Sequence, residues 1–277
     1  MSHPPVLLVA GVPRSGTTWV GQVFRSHPAV AFRFQPLFSW SFRPTLDLTS
    51  TPEEIAAFFE AVLATDDPFV RQTGEARLGN TPDFPERDAA PGLLVVKEVH
   101  YLHLVPHLLA SCPGLSAVLL VRDPRAVLAS FRGASGEWNE AWDFAAEWRE
   151  ARSKNEGRAD RWYGFERWKQ AALMFLDLAA RYPNRVMAAR YEDLVGDPRA
   201  GAERLLGFAG LPPHPQVERF VAASTAGGDR RHDYGVFKDR AVVWRWREEL
   251  DPGIAAEVAA ELRGTRLEQF LAGEPPD

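Results

Sequence analysis

Three stretches of the chain are apolar without interruption over the length of one strand: Val6 to Val12, closed by Gly11 and Pro13; Leu93 to Val96, leading into Lys97; and Ala117 to Val121. A strand with one wet face alternates polar and apolar positions, so unbroken runs predict strands buried on both faces, as in a parallel sheet covered by helices. Between them the period changes. Trp19 to Ser26 has helical composition and stops at His27-Pro28. Thr51-Pro52-Glu53-Glu54 combines an N-cap, a proline at the first helical position and a capping-box glutamate, predicting an amphipathic helix to about Ala64. Leu102 to Ala110 reads as helix, Asp123-Pro124 caps a helix from Arg125 to Phe131, and a long helical region is expected over Glu140 to Arg181. Val186 to Arg190 gives one more strand, and Asp197-Pro198 caps a further helix. Asp66 to Pro91 has no period and reads as a long surface excursion, a candidate substrate loop. Strands alternating with helices predict an α/β fold with right-handed crossovers, formed by one domain over residues 1–277.

The 277 residues, 45% hydrophobic and 25% charged, suit an ordinary globular chain and exclude disordered, collagen-like and disulfide-scaffold classes. A formal charge of −5 disfavours a nucleic-acid partner held by bulk positive field, so any anion site must be local. Cys112 is the only cysteine, which rules out an intrachain disulfide and a cysteine-based zinc cluster. Met1 to Pro5 carries no Lys or Arg ahead of the apolar run, and no run approaches the ~20 residues of a membrane span. A cytoplasmic location with no membrane span is therefore expected. The basic residues are nearly all arginine, the lysines being Lys97, Lys154, Lys169 and Lys238, which hints at a GC-rich bacterial genome.

The segment Gly11-Val12-Pro13-Arg14-Ser15-Gly16-Thr17-Thr18 joins a buried strand to a helix, the setting in which backbone N–H groups and a helix N-terminus cradle phosphate. Gly11 and Gly16 keep the Walker spacing G-x-x-x-x-G, but Thr17 stands where that motif has lysine, and a cation stands instead at Arg14. A phosphate loop is retained while the point charge for an ATP γ-phosphate is not.

Pro13-Arg14-Ser15-Gly16-Thr17-Thr18-Trp19 resembles the 5′-phosphosulfate loop, P-[KR]-S-G-T-T-W, of sulfotransferases that use 3′-phosphoadenosine-5′-phosphosulfate (PAPS). The resemblance implies a P-loop-like three-layer sandwich, its central parallel sheet covered by helices on both faces. It assigns Arg14, Ser15, Gly16, Thr17 and Thr18 to the phosphosulfate and Trp19 to the adenine. Arg122-Asp123-Pro124-Arg125, followed by Ser130, resembles the 3′-phosphate element R-[DN]-P-x-[DA]-x-x-x-S, which assigns Arg122 and Ser130 to that phosphate. Arg122 with Asp123 also reads as a plain capping pair at a helix start. Tyr191, in Tyr191-Glu192-Asp193-Leu194, matches the tyrosine near the adenine edge, and Lys238 and Arg240 match loosely a C-terminal basic loop over the 3′-phosphate.

Sulfuryl transfer needs cations at the transferring group, for which Arg14 and Lys97 serve, and a base for the acceptor hydroxyl. One branch of the family places a histidine in K-x-H, whereas the chain reads Lys97-Glu98-Val99-His100, one residue late; another places a glutamate where Gln35 stands. His100 ranks first because an ordinary imidazole titrates near neutrality, and Glu98 ranks second. No metal is expected: His103 and His107 are four apart, but Pro106 interrupts them and no third ligand is evident. The aromatic residues Trp138, Trp142, Phe144, Trp148, Trp162, Tyr163, Phe165 and Trp168 could line an acceptor pocket beside the cofactor, while their helical spacing points to core packing for most of them. The expected activity is sulfuryl transfer from PAPS to a hydroxyl or amine of a small-molecule, carbohydrate or lipid acceptor, leaving 3′,5′-adenosine bisphosphate (PAP). A P-loop kinase or NTPase, and a non-catalytic nucleotide-binding relative, are the alternatives.

Overall fold

In the computed structural model, which describes residues 3–74, 83–226, 236 and 243–273, five strands form one parallel sheet in the order β2-β3-β1-β4-β5. They are β1 (Val6–Ala10), β2 (Val30–Phe34), β3 (Leu93–Glu98), β4 (Leu115–Val121) and β5 (Val186–Arg190). β1 lies in the middle, Val9 and Ala10 opposite Lys97 and Glu98 on one side and Val118 and Leu119 on the other. Every residue of β1 and β3 is buried, which is why their sequences carry no alternation.

The helices are α1 (Thr17–Arg25), α2 (Pro52–Ala64), α3 (Pro68–Arg71), α4 (Val105–Ser111), α5 (Pro124–Arg132), α6 (Phe144–Glu147), α7 (Arg152–Asn155) and α8 (Phe165–Arg181). They continue with α9 (Tyr191–Gly196), α10 (Pro198–Phe208), α11 (Pro215–Thr225), α12 (Trp246–Glu249) and α13 (Pro252–Leu262). Two cores result, one on each face of the sheet. Leu7, Val9, Val95 and Val118 pack with Trp19, Val23 and Phe24 of α1 and with α10 and α11. Leu8, Val96, Ala117 and Leu119 pack with Ile55 and Phe58 of α2, Leu108 of α4 and Trp168 and Phe175 of α8. This is the expected three-layer α/β sandwich. The capping box of α2 is present, the Glu54 N–H donating to Thr51 Oγ1 at 3.2 Å and Thr51 N–H to Glu54 Oε2 at 2.8 Å.

Two departures from the sequence reading have local causes. The region Glu140 to Arg181 is not one helical stretch: α6 and α7 are single turns, and the long helix begins only at Phe165. Ala151 and Glu156 sit at φ 45° and 49°, and Gly164 at φ 85°, where an added Cβ would lie 2.7 Å from the Arg149 carbonyl oxygen. The chain there turns sharply against itself, and apolar spacing carries no record of that. β2 was not foreseen. It is an edge strand with period-two burial, Val30, Phe32 and Phe34 inward, and Arg33 interrupts its apolar character while donating from Nε to the Val62 carbonyl of α2 at 2.8 Å. The Asp66 to Pro91 excursion contains α3, and its residues 75–82 lie outside the described ones.

Candidate active site

The loop after β1 ends with Gly16 at φ 90° as the N-cap of α1. Glycine is required there twice over, because an added Cβ would stand 2.3 Å from the ring of Tyr191, the first residue of α9. Arg14, at φ 71°, donates from Nε to Ser130 Oγ on α5 at 3.0 Å. Its carbonyl accepts from Arg122 Nη1 at 3.1 Å, and the Arg122 guanidinium lies 5.1 Å from the Tyr191 ring centre. Residues 108 or more positions apart thus meet at the C-terminal ends of β1, β4 and β5, where ligands of open α/β sheets bind. Ser15 and Thr17 are buried, and the Ser15 hydroxyl has no hydrogen-bond partner among the described residues. Trp19 turns inward, donating from Nε1 to Ser224 Oγ on α11 at 3.0 Å. Asp123 caps α5, accepting the Arg125 N–H at 2.8 Å, so the capping reading of Arg122-Asp123 is right for Asp123 while Arg122 joins the loop. Lys238 and Arg240 lie outside the described residues.

At the end of β3 the pleat separates the neighbouring candidates. Lys97 lies on the α1 side, its Nζ 4.4 Å from the ring centre of Phe34. Burial drives its ammonium down to about 7, with Arg14 pushing the same way and Glu98 and Glu137 opposing. Glu98 lies on the other face, Oε1 accepting the Leu37 N–H at 2.9 Å and Oε2 having no partner among the described residues. Burial raises its carboxyl to about 8. His100 borders the same small apolar pocket as Glu98, between the sheet, α2 and α4. Its ring stacks on Phe38 at 4.5 Å and approaches Tyr163 at 6.1 Å. Desolvation pulls it down to about 4, against Glu137 and Asp160, so the imidazole is neutral at pH 7. Gln35, at φ 43°, is fixed by its N–H to the Lys97 carbonyl at 2.7 Å, and its Oε1 is also buried without a partner among the described residues.

Tyr163, one of the aromatic residues named as a candidate pocket lining, belongs to this end, and so does Glu137, which the sequence did not point to: Tyr163 Oη donates to Glu137 Oε2 at 2.6 Å, and Lys154 Nζ lies 3.3 Å from the same oxygen. Glu137 sits in a loop that matches no motif, and the one signal was the aromatic density around Tyr163. Trp148, Phe165 and Trp168 of that stretch are core, as expected. His107 spends a ring nitrogen on the Ser50 carbonyl at 2.8 Å. Among the described residues no group of three or more His, Cys, Asp or Glu is placed to hold a metal, and no helix is long and apolar enough to cross a membrane.

A parallel α/β sandwich with a glycine-turned loop after its first strand, on which Arg122 from the end of β4 and Ser130 from α5 converge, has the arrangement of the phosphate-binding class of α/β proteins. The model of the sulfotransferase family matches residues 5–215, and the chain belongs to that family. Rat carbohydrate sulfotransferase 3 is 32% identical over 159 residues, covering 56% of this chain and 33% of the relative; human carbohydrate sulfotransferase 1 is 26% identical over 159 residues, covering 50% and 34%. The chain spans about a third of the length of these curated relatives. Among solved structures, the sulfotransferase domain from the Synechococcus PCC 7002 olefin synthase superposes with a TM-score of 0.53 at 21% identity, covering 99% of this chain and 98% of that one. Retinol dehydratase in complex with androsterone and inactive cofactor PAP gives 0.53 at 18%, covering 96% and 83%. Both share the fold.

Proposed function

We propose that the chain transfers a sulfuryl group from PAPS to a hydroxyl or amine of its acceptor. The carrying observation is the convergence of two motifs, Arg14 donating to Ser130 while Arg122 donates to the Arg14 carbonyl. The residues fit the donor: the buried Ser15 hydroxyl lacks a partner among the described residues, and α1 begins at the same loop with N–H groups that its own turn leaves unused. PAP bound to retinol dehydratase, a protein of the same fold, supports this choice of nucleotide.

PAPS supplies an activated sulfuryl group whose departure leaves charge on the phosphate side. Arg14, Lys97 and the backbone of Ser15 to Thr18 stabilise that charge; Arg122 and Ser130 hold the 3′-phosphate; Tyr191 and Trp19 border the adenine. Lys238 and Arg240 keep their proposed 3′-phosphate role by resemblance alone. His100 keeps first place as acceptor of the proton on its neutral lone pair and not on a near-neutral titration, since burial makes it a weaker base than the ordinary imidazole expected from the sequence; Glu98, raised to about 8, is protonated at pH 7 and has a proton to lose before it can act. The names of the carbohydrate sulfotransferases favour a sugar hydroxyl among small-molecule, glycan and lipid acceptors. A reducing, cytoplasmic setting in a bacterium is the proposed context, on the lone Cys112 and the arginine-rich composition.

Calorimetric titration tests the reading. PAP binds without magnesium, ATP–Mg does not compete, and turnover persists in chelator. An absolute requirement for Mg²⁺, or a preference for ATP–Mg over PAP, overturns it in favour of a kinase or NTPase.

A further inference from the structure

Within Arg122-Asp123-Pro124-Arg125 the bonds of the two charged residues after Arg122 run to the C-terminal segment. Asp123 has no exposed surface. Arg125 grips it through Nε at 3.0 and 3.2 Å and Nη2 at 2.6 Å. Both backbone groups of Ala272 are bound by this pair, the N–H donating to Asp123 Oδ2 at 2.7 Å and the carbonyl accepting from Arg125 Nη2 at 3.0 Å. Arg190, at the end of β5, donates to the Leu271 carbonyl at 3.0 Å, and Arg247 to that of Gly273 at 3.2 Å. The Arg125 guanidinium also lies 3.9 Å from the ring centre of Trp246 on α12. These partners lie beyond residue 215, where the family match ends.

Asp123 is the common anchor of the two residues proposed to hold the 3′-phosphate. Arg122 immediately precedes it, and Ser130 lies on α5, the helix it caps. The backbone at this point is tied from two more sides, by Trp168 Nε1 donating to the Arg122 carbonyl at 2.9 Å and by the Asp123 N–H donating to Glu192 Oε1 at 3.0 Å. A buried carboxylate tolerates burial only while its hydrogen bonds are complete, and Ala272 supplies one of them.

We propose that residues 271–273 are a latch that positions Arg122 and Ser130, so that preference for a 3′-phosphorylated nucleotide depends on a segment which touches no nucleotide. Asp123 and Arg125 are then positioning residues. The inference rests on the PAPS reading above.

The test compares affinity for PAP with affinity for adenosine 5′-phosphate, which lacks the 3′-phosphate, in the wild-type chain, in a chain deleted of residues 271–277 and in Arg125→Lys. Each variant is expected to weaken PAP about tenfold, the effect of one displaced charge-assisted contact, while adenosine 5′-phosphate stays within about twofold. Linkage requires the reverse coupling, so in the wild-type chain PAP, and not adenosine 5′-phosphate, slows amide hydrogen exchange over residues 267–273. Folded variants with the wild-type ratio of affinities overturn the latch, as does equal loss of both nucleotides. Should the deletion fail to fold, the exchange measurement decides, and absence of PAP-specific protection overturns the proposal. A wild-type chain that does not distinguish the two nucleotides overturns the 3′-phosphate reading itself, which separates that failure from failure of the latch.

Discussion

The two ends of the candidate site are built on opposite plans. Beside β1 and β4 several polar side chains hold one another, the Ser15 hydroxyl excepted: Arg14 binds Ser130, Arg122 binds the Arg14 carbonyl, and Asp123 is satisfied by Arg125 and Ala272. Beside β2 and β3, Gln35 Oε1, Glu98 Oε2 and His100 Nδ1 are each buried with no partner among the described residues. The first arrangement suits an anion, whose charge demands cations fixed in advance so that none has to reorganise. The second is dry, where ionisation is penalised, as the depression of His100 and elevation of Glu98 both express. On the proposed reading, binding of charge and movement of a proton fall to neighbouring places with contrary electrostatics.

Removing the imidazole should produce the largest effect. His100→Ala is expected to lower kcat/KM by roughly 10²–10⁴ while the affinity for PAP stays within about twofold, since the anion end is untouched. Glu98→Gln is the paired variant. If it abolishes turnover while His100→Ala does not, the proton goes to the carboxylate; if neither matters, the division between the two ends is wrong.

Next is an acid limb of stability. The folded chain holds His100 at about 4. An ordinary imidazole titrates near 6.5 when the chain unfolds. A base with a depressed folded pKa favours the neutral form, so its contribution is complete above the unfolded value and is lost as pH falls from about 6.5 to about 4, up to about 3 kcal/mol. Urea unfolding of His100→Gln across that range should show a correspondingly flatter fall than wild type. Equal slopes would mean that the imidazole is not held neutral by its surroundings. At the anion end, Arg122→Ala should weaken PAP by about 10- to 100-fold with little change in adenosine 5′-phosphate, read by calorimetry. An unchanged ratio of the two affinities removes Arg122 from the 3′-phosphate.

The geometry of the loop end was legible in the sequence because it rides on short, contiguous segments: Gly16 must be glycine for a turn that Tyr191 then crowds, and Arg122 and Ser130 sit at fixed positions around a cap. Strands β1, β3 and β4 announced themselves by unbroken apolarity, whereas the edge strand β2 carries Arg33 in its middle and hid. The end beside β2 and β3 was legible only as candidates. His100 and Glu98 were named, but their contrary shifts arise from Phe38, Tyr163 and the apolar pocket, which come together only in the fold. Glu137 was missed for the same reason, and so was the use of Arg125, whose partner Ala272 lies 147 residues away.

The smallest expected effect sharpens the comparison most, because it compares two serines of the same end in opposite states. Ser130 Oγ accepts from Arg14, whereas the Ser15 hydroxyl is fully buried with no partner among the described residues. Ser15→Ala therefore removes an unsatisfied polar atom and should leave the free chain as stable as wild type, or more stable by about 1 kcal/mol, while weakening PAP a few-fold because the hydroxyl is matched only in the complex. Ser130→Ala removes a bond already made, and should lower the stability of the free chain by about 0.5–1.5 kcal/mol as well as weakening PAP. Thermal unfolding with and without PAP reads both terms, since a ligand that binds only the folded chain raises the melting temperature according to its affinity. Opposite signs for the two serines in the free chain, with the same sign in the ligand-induced shift, are the expected outcome. Equal destabilisation of the free chain by both substitutions would mean that the Ser15 hydroxyl has structural work of its own, and would remove it from the donor site.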